Sequence, residues 1–293
     1  MSDNEQVLRR MEEDIQLRGL SPKTLEVYVS HARIFLDYCH RPVDDLDTED
    51  IRRFLTHLIR EKNLSAKTVN IYGASIRFLF AVTLNRALNY LQIPRQKERK
   101  ALPEVLTKEE VSSILQSCEN IKHKAMLMTV YSSGLRVSEA AALKIQHIDS
   151  KNMRVFVRNG KGGKDRYTLL SEGCLSVLRE YWKAYRPRHP EGWLFLGTYN
   201  VRHITPTGIA YAFNEAVKRA HITKNVSIHT LRHSFATHLL EDGASLLQIK
   251  DLLGHASIKS TTVYLHLANV TAGVRSPLDT FPANLRQETP LHA

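Results

Sequence analysis

The sequence predicts a mainly α-helical protein in two domains, with a small β-sheet in the second domain. Apolar residues recur at intervals of three and four along most of the first hundred residues, which is the spacing of helices with one buried face. After position 150, a short segment alternates apolar and polar residues on both sides of a glycine-rich turn. That alternation is typical of a β-hairpin.

The first domain, residues 1–92, is predicted to be a bundle of four helices. Ser21 and Pro22 form a typical helix start, because serine caps the free amides of the first turn and proline is tolerated there. The four helices are expected over Glu5 to Arg18, from Pro22, from Thr48, and from Ser65 to about Arg86.

Residues 93–106 are predicted to be a linker, because helical spacing lapses there and two prolines flank a basic run. The second domain, residues 107–270, begins with a helix whose Thr107 and Glu110 form a capping box. Its further elements are expected to be a hairpin through Val155 and Tyr167, a strand over Trp193 to Leu196, and late helices that include Lys259 to Leu267. Residues 271–293 are expected to form a C-terminal tail.

The chain carries a formal net charge of +11 and has a pI near 9.6. A positive excess favours a polyanionic partner, because Lys and Arg that neutralise phosphates release counterions. The first 100 residues hold 17 Lys and Arg against 14 Asp and Glu, so 8 of the 11 excess charges belong to the remainder. The stronger electrostatic contribution is therefore expected in the second domain.

Cysteine usage and hydropathy predict a reduced, cytoplasmic protein. The three cysteines form no CxxC pair, which argues against a disulfide framework and against a zinc site. Apolar runs fall short of the roughly 20 residues that cross a bilayer, and the polar N-terminus lacks a signal-peptide pattern.

Four short segments concentrate Arg, Lys, His and Tyr. They are GLRVSEAAAL around Arg136, NGKGGKDR around Lys161, HTLRHSFATHLL around His229 and Arg232, and LLGHASIKSTTVYLH around His255 and Tyr264. In their order and spacing these segments resemble the tyrosine recombinase, or phage integrase, family, and most closely its short Xer-like members. The resemblance covers residues 106–266 closely and the helical first half more loosely.

The resemblance implies a site-specific recombinase that cleaves and rejoins DNA through a 3′-phosphotyrosyl intermediate and a Holliday junction, in integration, excision or resolution of DNA. It implies a SAM-like first domain that binds core DNA, and a catalytic second domain that clamps the duplex with it. The implied catalytic residues are Arg136, Lys161, His229, Arg232, His255 and the nucleophile Tyr264. The implied partners are a homo-tetramer on two duplexes with inverted half-sites and a second recombinase or accessory DNA-binding protein, in a nucleoid-associated bacterial setting.

Residue chemistry agrees with these implied roles. Arg136 and Arg232 suit a phosphate, because a guanidinium stays charged and donates to two oxygens at once. A tyrosine with an ordinary pKa of about 10 needs help at neutral pH, which His229 could supply. Lys161 at a hairpin tip could protonate the departing 5′ oxygen. Because the phosphotyrosine keeps the bond energy, no ATP, metal or other cofactor is expected, and the sequence has no Walker loop.

Structural interpretations of the same residues remain open. Taken alone, Arg136 could pair with Glu139 at a helix start, His255 could cap a helix, and Tyr264 could be a core aromatic residue. His229 and His233 have the spacing of a zinc pair, but HTLRH lacks the glutamate of HExxH, so metal is not expected.

Two other functions remain as alternatives: a type IB topoisomerase that relaxes DNA, and a DNA-binding regulator without chemistry. Basic residues outside the four segments are predicted to contact DNA, although a solvated helix face explains each of them as well. These residues are Lys23, Arg33, Lys67, Arg77, Arg99 and Lys100.

Overall fold

The computed structural model describes residues 3–86, 88, 93–98, 102–158 and 165–268. The chain divides into two compact units, residues 1–100 and 101–293. Helices dominate both units, and a small antiparallel sheet lies in the second, so the predicted fold class is confirmed. Within the described residues, no helix combines the length and apolarity that crossing a bilayer requires.

The first unit is a helical bundle around an aromatic core. Phe35, Phe54 and Phe80 are at most 1% exposed, and the Phe35 ring lies edge-on to both other rings. The α-helices in its described residues are α1 (Asp3–Leu17), α2 (Pro22–Cys39), α3 (Thr48–Arg60) and α4 (Ala66–Phe78).

The end of the fourth helix differs from the prediction. After α4 the chain continues as a π-helix over Leu79–Thr83, where the Leu84 amide bonds to the Leu79 carbonyl, and does not stay helical to Arg86. The Arg86 guanidinium instead donates to the carbonyls of Val43 and Leu46. These bonds join the chain after the helix to residues 43–46, a long-range contact that local spacing does not contain.

The second unit is built around a central helix. The helices in its described residues are α5 (Lys108–Gln116), α6 (Ile121–Ser133), α7 (Val137–Ala141), α8 (Glu172–Tyr185), α9 (Pro206–Arg219), α10 (Ile228–Glu241) and α11 (Leu246–Leu253). Helix α6 packs against α8, α9 and α10 and buries Met126, Leu127 and Val130. The capping box of Thr107 and Glu110 forms at the start of α5 as predicted.

The predicted hairpin forms part of a three-stranded antiparallel sheet. Its strands are β1 (Ile148–Asp149), β2 (Arg154–Val157) and β3 (Arg166–Leu169), in the order β1-β2-β3. Val155 pairs with Thr168, and Val157 pairs with Arg166. Since Val155 and Val157 are the buried residues of β2, Arg166 lies on the buried face of the sheet. Residues 159–164 between β2 and β3, which include Lys161 and Lys164, lie outside the described residues.

Two elements of the second unit differ from the prediction. Residues 193–196 do not form a strand: Trp193 and Leu196 make isolated bridges to two different partners, Lys144 and His203. Residues 259–267 are not an α-helix but two 3-10 turns, Ile258–Ser260 and Thr262–His266. The β-branched residues at 261–263 disfavour a regular helix there, because their side chains crowd the preceding turn. The tail after residue 268 lies outside the described residues.

Gly134 ends α6 and brings α10 close to it. Its φ of +57° lies in the left-handed region, and a Cβ at this position would lie 2.3 Å from Cδ1 of Phe235. Only glycine fits this position without strain, because both the backbone conformation and the space exclude a side chain.

We predict that Gly134→Ala lowers the free energy of unfolding by about 3 to 4 kcal/mol, the sum of left-handed strain and overpacking. Gly192→Ala is the matched control, because Gly192 has a φ of +69° and no atom within 4 Å of its would-be Cβ. The control should lose only about 1 to 2 kcal/mol. Urea denaturation measures both values, and equal losses would show that the contact with Phe235 is unimportant.

Candidate active site

Glu139 draws two arginines together at the start of α7. Its carboxylate accepts hydrogen bonds of 2.8 Å from the side chain and from the backbone amide of Arg136. Arg166 on β3 donates to both carboxylate oxygens, at 2.9 and 2.8 Å. Burial alone would raise the pKa of Glu139, but the bonds and charges of Arg166 and Arg136 outweigh it and lower the pKa to about 2. The carboxylate is therefore ionised at neutral pH.

Three arginines donate hydrogen bonds to three successive carbonyl groups at the C-terminal end of α11. The last carbonyls of a helix have no partner within the helix and carry partial negative charge, so cations bind there favourably. The three bonds join Arg166 Nε to Leu252 O at 2.8 Å, Arg232 Nη2 to Leu253 O at 2.7 Å, and Arg136 Nη2 to Gly254 O at 3.4 Å.

Arg232 is the most central of these arginines. Its side chain is 7% exposed, donates to the Gly134 carbonyl at 2.6 Å, and lies 3.8 Å from the Glu139 carboxylate. Burial and the neighbouring charge of Arg136 lower the pKa of Arg232 to about 10. The guanidinium is therefore still charged at neutral pH.

Tyr264 lies in the 3-10 turn beside these arginines and is only 1% exposed. It packs in a small apolar cluster with Phe235, Ile249 and Leu253. Its hydroxyl lies 3.2 Å from Nδ1 of His233. Burial raises the pKa of Tyr264, and the charges of Arg232 and Arg136 offset only part of that increase. The phenol is therefore protonated at neutral pH.

His255 follows the left-handed Gly254 and lies beside the tyrosine. The rings of His255 and Tyr264 are nearly parallel, with centroids 6.4 Å apart. Burial, with the charges of Arg232 and Arg136, lowers the pKa of His255 to about 4, so the ring is neutral at pH 7. Nδ1 lies 3.0 Å from the Thr261 hydroxyl. When that hydroxyl donates, the ring proton resides on Nε2, which can then donate to a bound anion.

The structure therefore brings together four of the six predicted catalytic residues: Arg136, Arg232, His255 and Tyr264. His229 is exposed in the first turn of α10, and the hydroxyl of Tyr264 is bonded to His233, one turn further along. Lys161 lies outside the described residues.

Three residues of this site were not predicted: Glu139, Arg166 and His233. Glu139 stands three positions after Arg136, where a carboxylate commonly bonds the first amide of a helix, so its spacing was an available signal. His233 stands one helical turn after His229, but that spacing suggested a metal pair. For Arg166 the signal is its position on the buried face of β3, and that position depends on the register in which β3 pairs with β2.

Two structural interpretations also hold at this site. Arg136 does pair with Glu139 at a helix start, and Tyr264 is a buried aromatic residue. Neither fact conflicts with chemistry, because Arg136 also bonds to Gly254 O beside His255, and the hydroxyl of the buried Tyr264 is bonded to His233. Among the described residues that meet here, three arginines face one carboxylate, so the site has an excess of positive charge and suits an anion.

The basic residues predicted to contact DNA in the first unit are mostly on its surface. Lys23 pairs with Glu26 at 2.7 Å, and Arg33 pairs with Glu5 at 2.5 Å. Lys67 is exposed, and Arg77 is partly buried. Arg99 and Lys100 lie outside the described residues.

Two family models match this chain. Residues 104–270 match the model described as the phage integrase family, and residues 7–90 match the N-terminal SAM-like domain of phage integrases.

Individual proteins are also similar to it. A putative integrase/recombinase of Sinorhizobium fredii is 40% identical over 276 residues, which cover 94% of this chain and 89% of that protein. The tyrosine recombinase XerD of Listeria monocytogenes is 32% identical over 86% of this chain and 91% of its own length. A crystal structure of XerH recombinase in a post-cleavage complex with its difH substrate is 22% identical and superposes with a TM-score of 0.70, covering 86% of this chain and 78% of that one. The last comparison shows that the fold is shared.

We predict that Glu139→Gln lowers the free energy of unfolding by about 3 kcal/mol at pH 7, because it leaves buried arginines without their counter-charge. Since the pKa of Glu139 is lowered, the carboxylate stabilises the fold above its ordinary pKa and loses this effect as the pH falls from about 4.5 toward 2. Urea denaturation at several pH values measures both effects.

Glu191→Gln is the control for this prediction. Glu191 also forms an ion pair, with Lys144 at 2.8 Å, but its side chain is 60% exposed. Solvent screens such a pair, so the control should change stability little. Equal effects of the two substitutions would contradict a special role for the buried carboxylate.

Proposed function

The chain belongs to the phage integrase family of tyrosine recombinases, and on that premise we propose that it is a site-specific recombinase that cuts DNA through Tyr264. The observation that carries this proposal is the position of Tyr264, Arg136, Arg232 and His255 around the C-terminal end of α11. A nucleophile, two fixed cations and a neutral hydrogen-bond donor are the groups that a phosphodiester cleavage requires.

The two arginines bind the phosphate whose diester bond is cut. Charge builds on the nonbridging oxygens in the transition state, and donors that are already in place stabilise it without reorganisation. Arg136 is held by Glu139, and Arg232 by the carbonyls of Gly134 and Leu253. His255 donates a further bond from Nε2 because it is neutral at pH 7.

Proton transfers complete the reaction. The Tyr264 oxygen bonds to phosphorus, the bond from phosphorus to the 5′ oxygen breaks, and that oxygen leaves with a proton from Lys161. His229, which is exposed at the start of α10, takes up the phenol proton once DNA is bound. Attack by the 5′ hydroxyl of another strand reverses these steps and releases the enzyme. The phosphotyrosine conserves the bond energy, so neither ATP nor a metal ion is needed.

We propose the following organisation around this chemistry. Residues 1–92 form a DNA-binding domain, residues 93–106 a linker, residues 107–270 the catalytic domain and residues 271–293 a tail. Four protomers act on two duplexes with inverted half-sites. A second recombinase or an accessory DNA-binding protein takes part, and the reaction takes place in the bacterial cytoplasm, at the nucleoid. The net charge of +11 supports a DNA partner, and similar solved structures are described as recombinases bound to DNA. Phosphate contacts in the first part of the chain are assigned to Lys23, Arg33, Lys67, Arg77, Arg99 and Lys100.

We predict that Tyr264→Phe binds DNA with near-normal affinity and forms no covalent complex, because only the attacking oxygen is removed. A substrate with a nick beside the cleavage point traps the wild type as a slow band on a denaturing gel. Tyr131→Phe is the matched control, since the Tyr131 hydroxyl is also bonded to a histidine of α10, at 2.9 Å. The control should keep the covalent band, and a band that persists in Tyr264→Phe would mean another nucleophile.

We predict that Lys161→Ala slows cleavage by roughly 10²-fold or more, the scale of a lost general acid, and that Lys164→Ala costs much less. Sulfur in place of the bridging 5′ oxygen leaves without a proton, so it should largely restore cleavage by Lys161→Ala. Arg136→Ala should not be restored, because the nonbridging charge still needs stabilisation. Restoration of Lys164→Ala, or of neither lysine variant, would place the acid elsewhere.

A further inference from the structure

The Tyr264 hydroxyl is bonded to a histidine that the proposed chemistry does not use. Nδ1 of His233 lies 3.2 Å from the hydroxyl, and the two rings are tilted by 48° with centroids 5.9 Å apart. Tyr264 is 1% exposed, whereas the Arg136 side chain beside it is 22% exposed. A phosphate can therefore approach Arg136 from solvent, but it cannot reach the Tyr264 oxygen in this arrangement.

His233 is suited to accept a hydrogen bond and poorly suited to accept the proton. Burial lowers its pKa, and the nearby charges of Arg232 and His229 lower it further. A protonated ring here would be partly buried next to a guanidinium that is itself buried. Since burial also raises the pKa of Tyr264, the proton remains on the phenol. When the neutral His233 ring carries its proton on Nε2, the phenol is the donor and Nδ1 the acceptor.

We propose that His233 is a positioning residue that holds Tyr264 in a closed resting position, so that the His233–Tyr264 bond must break before the nucleophile attacks. This inference rests on the proposed function, because it takes Tyr264 as the nucleophile. Attack needs the oxygen about 3 to 3.5 Å from phosphorus and aligned with the leaving group. A buried oxygen whose hydrogen bond points toward α10 does not meet that condition.

The segment that carries Tyr264 is suited to such a movement. It consists of two 3-10 turns, Ile258–Ser260 and Thr262–His266, whose hydrogen bonds are poorer than those of an α-helix. Leu265 and His266 in it are exposed, and its buried side chains are Thr261 and Tyr264. Loss of one buried hydrogen bond should therefore change the population of the closed position measurably.

The first test measures the rate of covalent-complex formation in a single turnover on the nicked substrate, with the protein saturating. His233→Leu removes the acceptor and should raise this rate about 3- to 10-fold, the effect of one hydrogen bond on an equilibrium. His233→Asn places an amide oxygen near the position of Nδ1, so its rate should stay within about twofold of the wild type. An unchanged or slower rate in folded His233→Leu overturns the proposal.

His238→Leu is the matched control. His238 lies on the same helix, and its Nδ1 is bonded to the Tyr131 hydroxyl at 2.9 Å. This substitution removes a similar pair from α10 without touching Tyr264, so the cleavage rate should not rise. An equal acceleration in His238→Leu would show that general loosening of α10 explains the effect, which would overturn the specific role of His233.

The second test follows amide hydrogen exchange of residues 258–267 in the DNA-free protein. Tyr264→Phe breaks the same bond from the other side and should raise exchange in this segment, with no further increase when His233→Leu is added. This test does not depend on cleavage and stands on Tyr264→Phe alone if the leucine variant fails to fold. Unchanged exchange in Tyr264→Phe overturns the closed position. A missing covalent band in the wild type would instead refute the proposed function.

Discussion

The site depends on the end of one short helix. Helix α11 ends in three carbonyls without helical partners, and three arginines from three different parts of the second unit donate to them. Each arginine alone could adopt many orientations, because its side chain is long. The three successive carbonyls, one for each arginine, fix all three relative to His255, which follows the left-handed Gly254 at the end of α11. The geometry of the site thus follows from the way this helix ends. A glycine is needed before the histidine, because a Cβ there would lie 2.8 Å from Cδ of Arg166.

Three cations so close together would repel one another, and Glu139 makes their proximity possible. It bonds Arg136 and Arg166 directly and lies 3.8 Å from Arg232. One carboxylate among three guanidinium groups still leaves positive charge for a phosphate. A second carboxylate would remove the attraction for an anion, and a neutral residue would leave the buried arginines too costly. A single glutamate therefore neutralises enough charge for the arginines to be buried and leaves enough positive charge to bind an anion.

The sequence could predict the helices better than the site. Regular spacing and caps located α2 and α3 because those signals are local, and the buried faces supply most of their stability. The 3-10 turns around Tyr264 were missed because the apolar spacing of this segment resembles a helix, while its β-branched residues at 261–263 disfavour one. At the site, the motifs predicted Arg136, Arg232, His255 and Tyr264, which the fold brings together. They did not identify Arg166 or His233, whose roles depend on strand register and on which face of α10 meets the tyrosine.

Burial of Tyr264 has a cost and a consequence. A phenol removed from water loses hydrogen bonds that must be replaced, and His233 replaces one of them. Burial itself raises the pKa of Tyr264 and keeps the proton on the oxygen, so the arginines can be in place for a phosphate while the proposed nucleophile is not. The arginines and Tyr264 are therefore positioned by separate parts of the structure. Helix ends and ion pairs position the arginines, and a short segment of 3-10 turns positions Tyr264. A DNA-cutting enzyme gains from this separation, because binding of the phosphate can precede exposure of the oxygen that cleaves it.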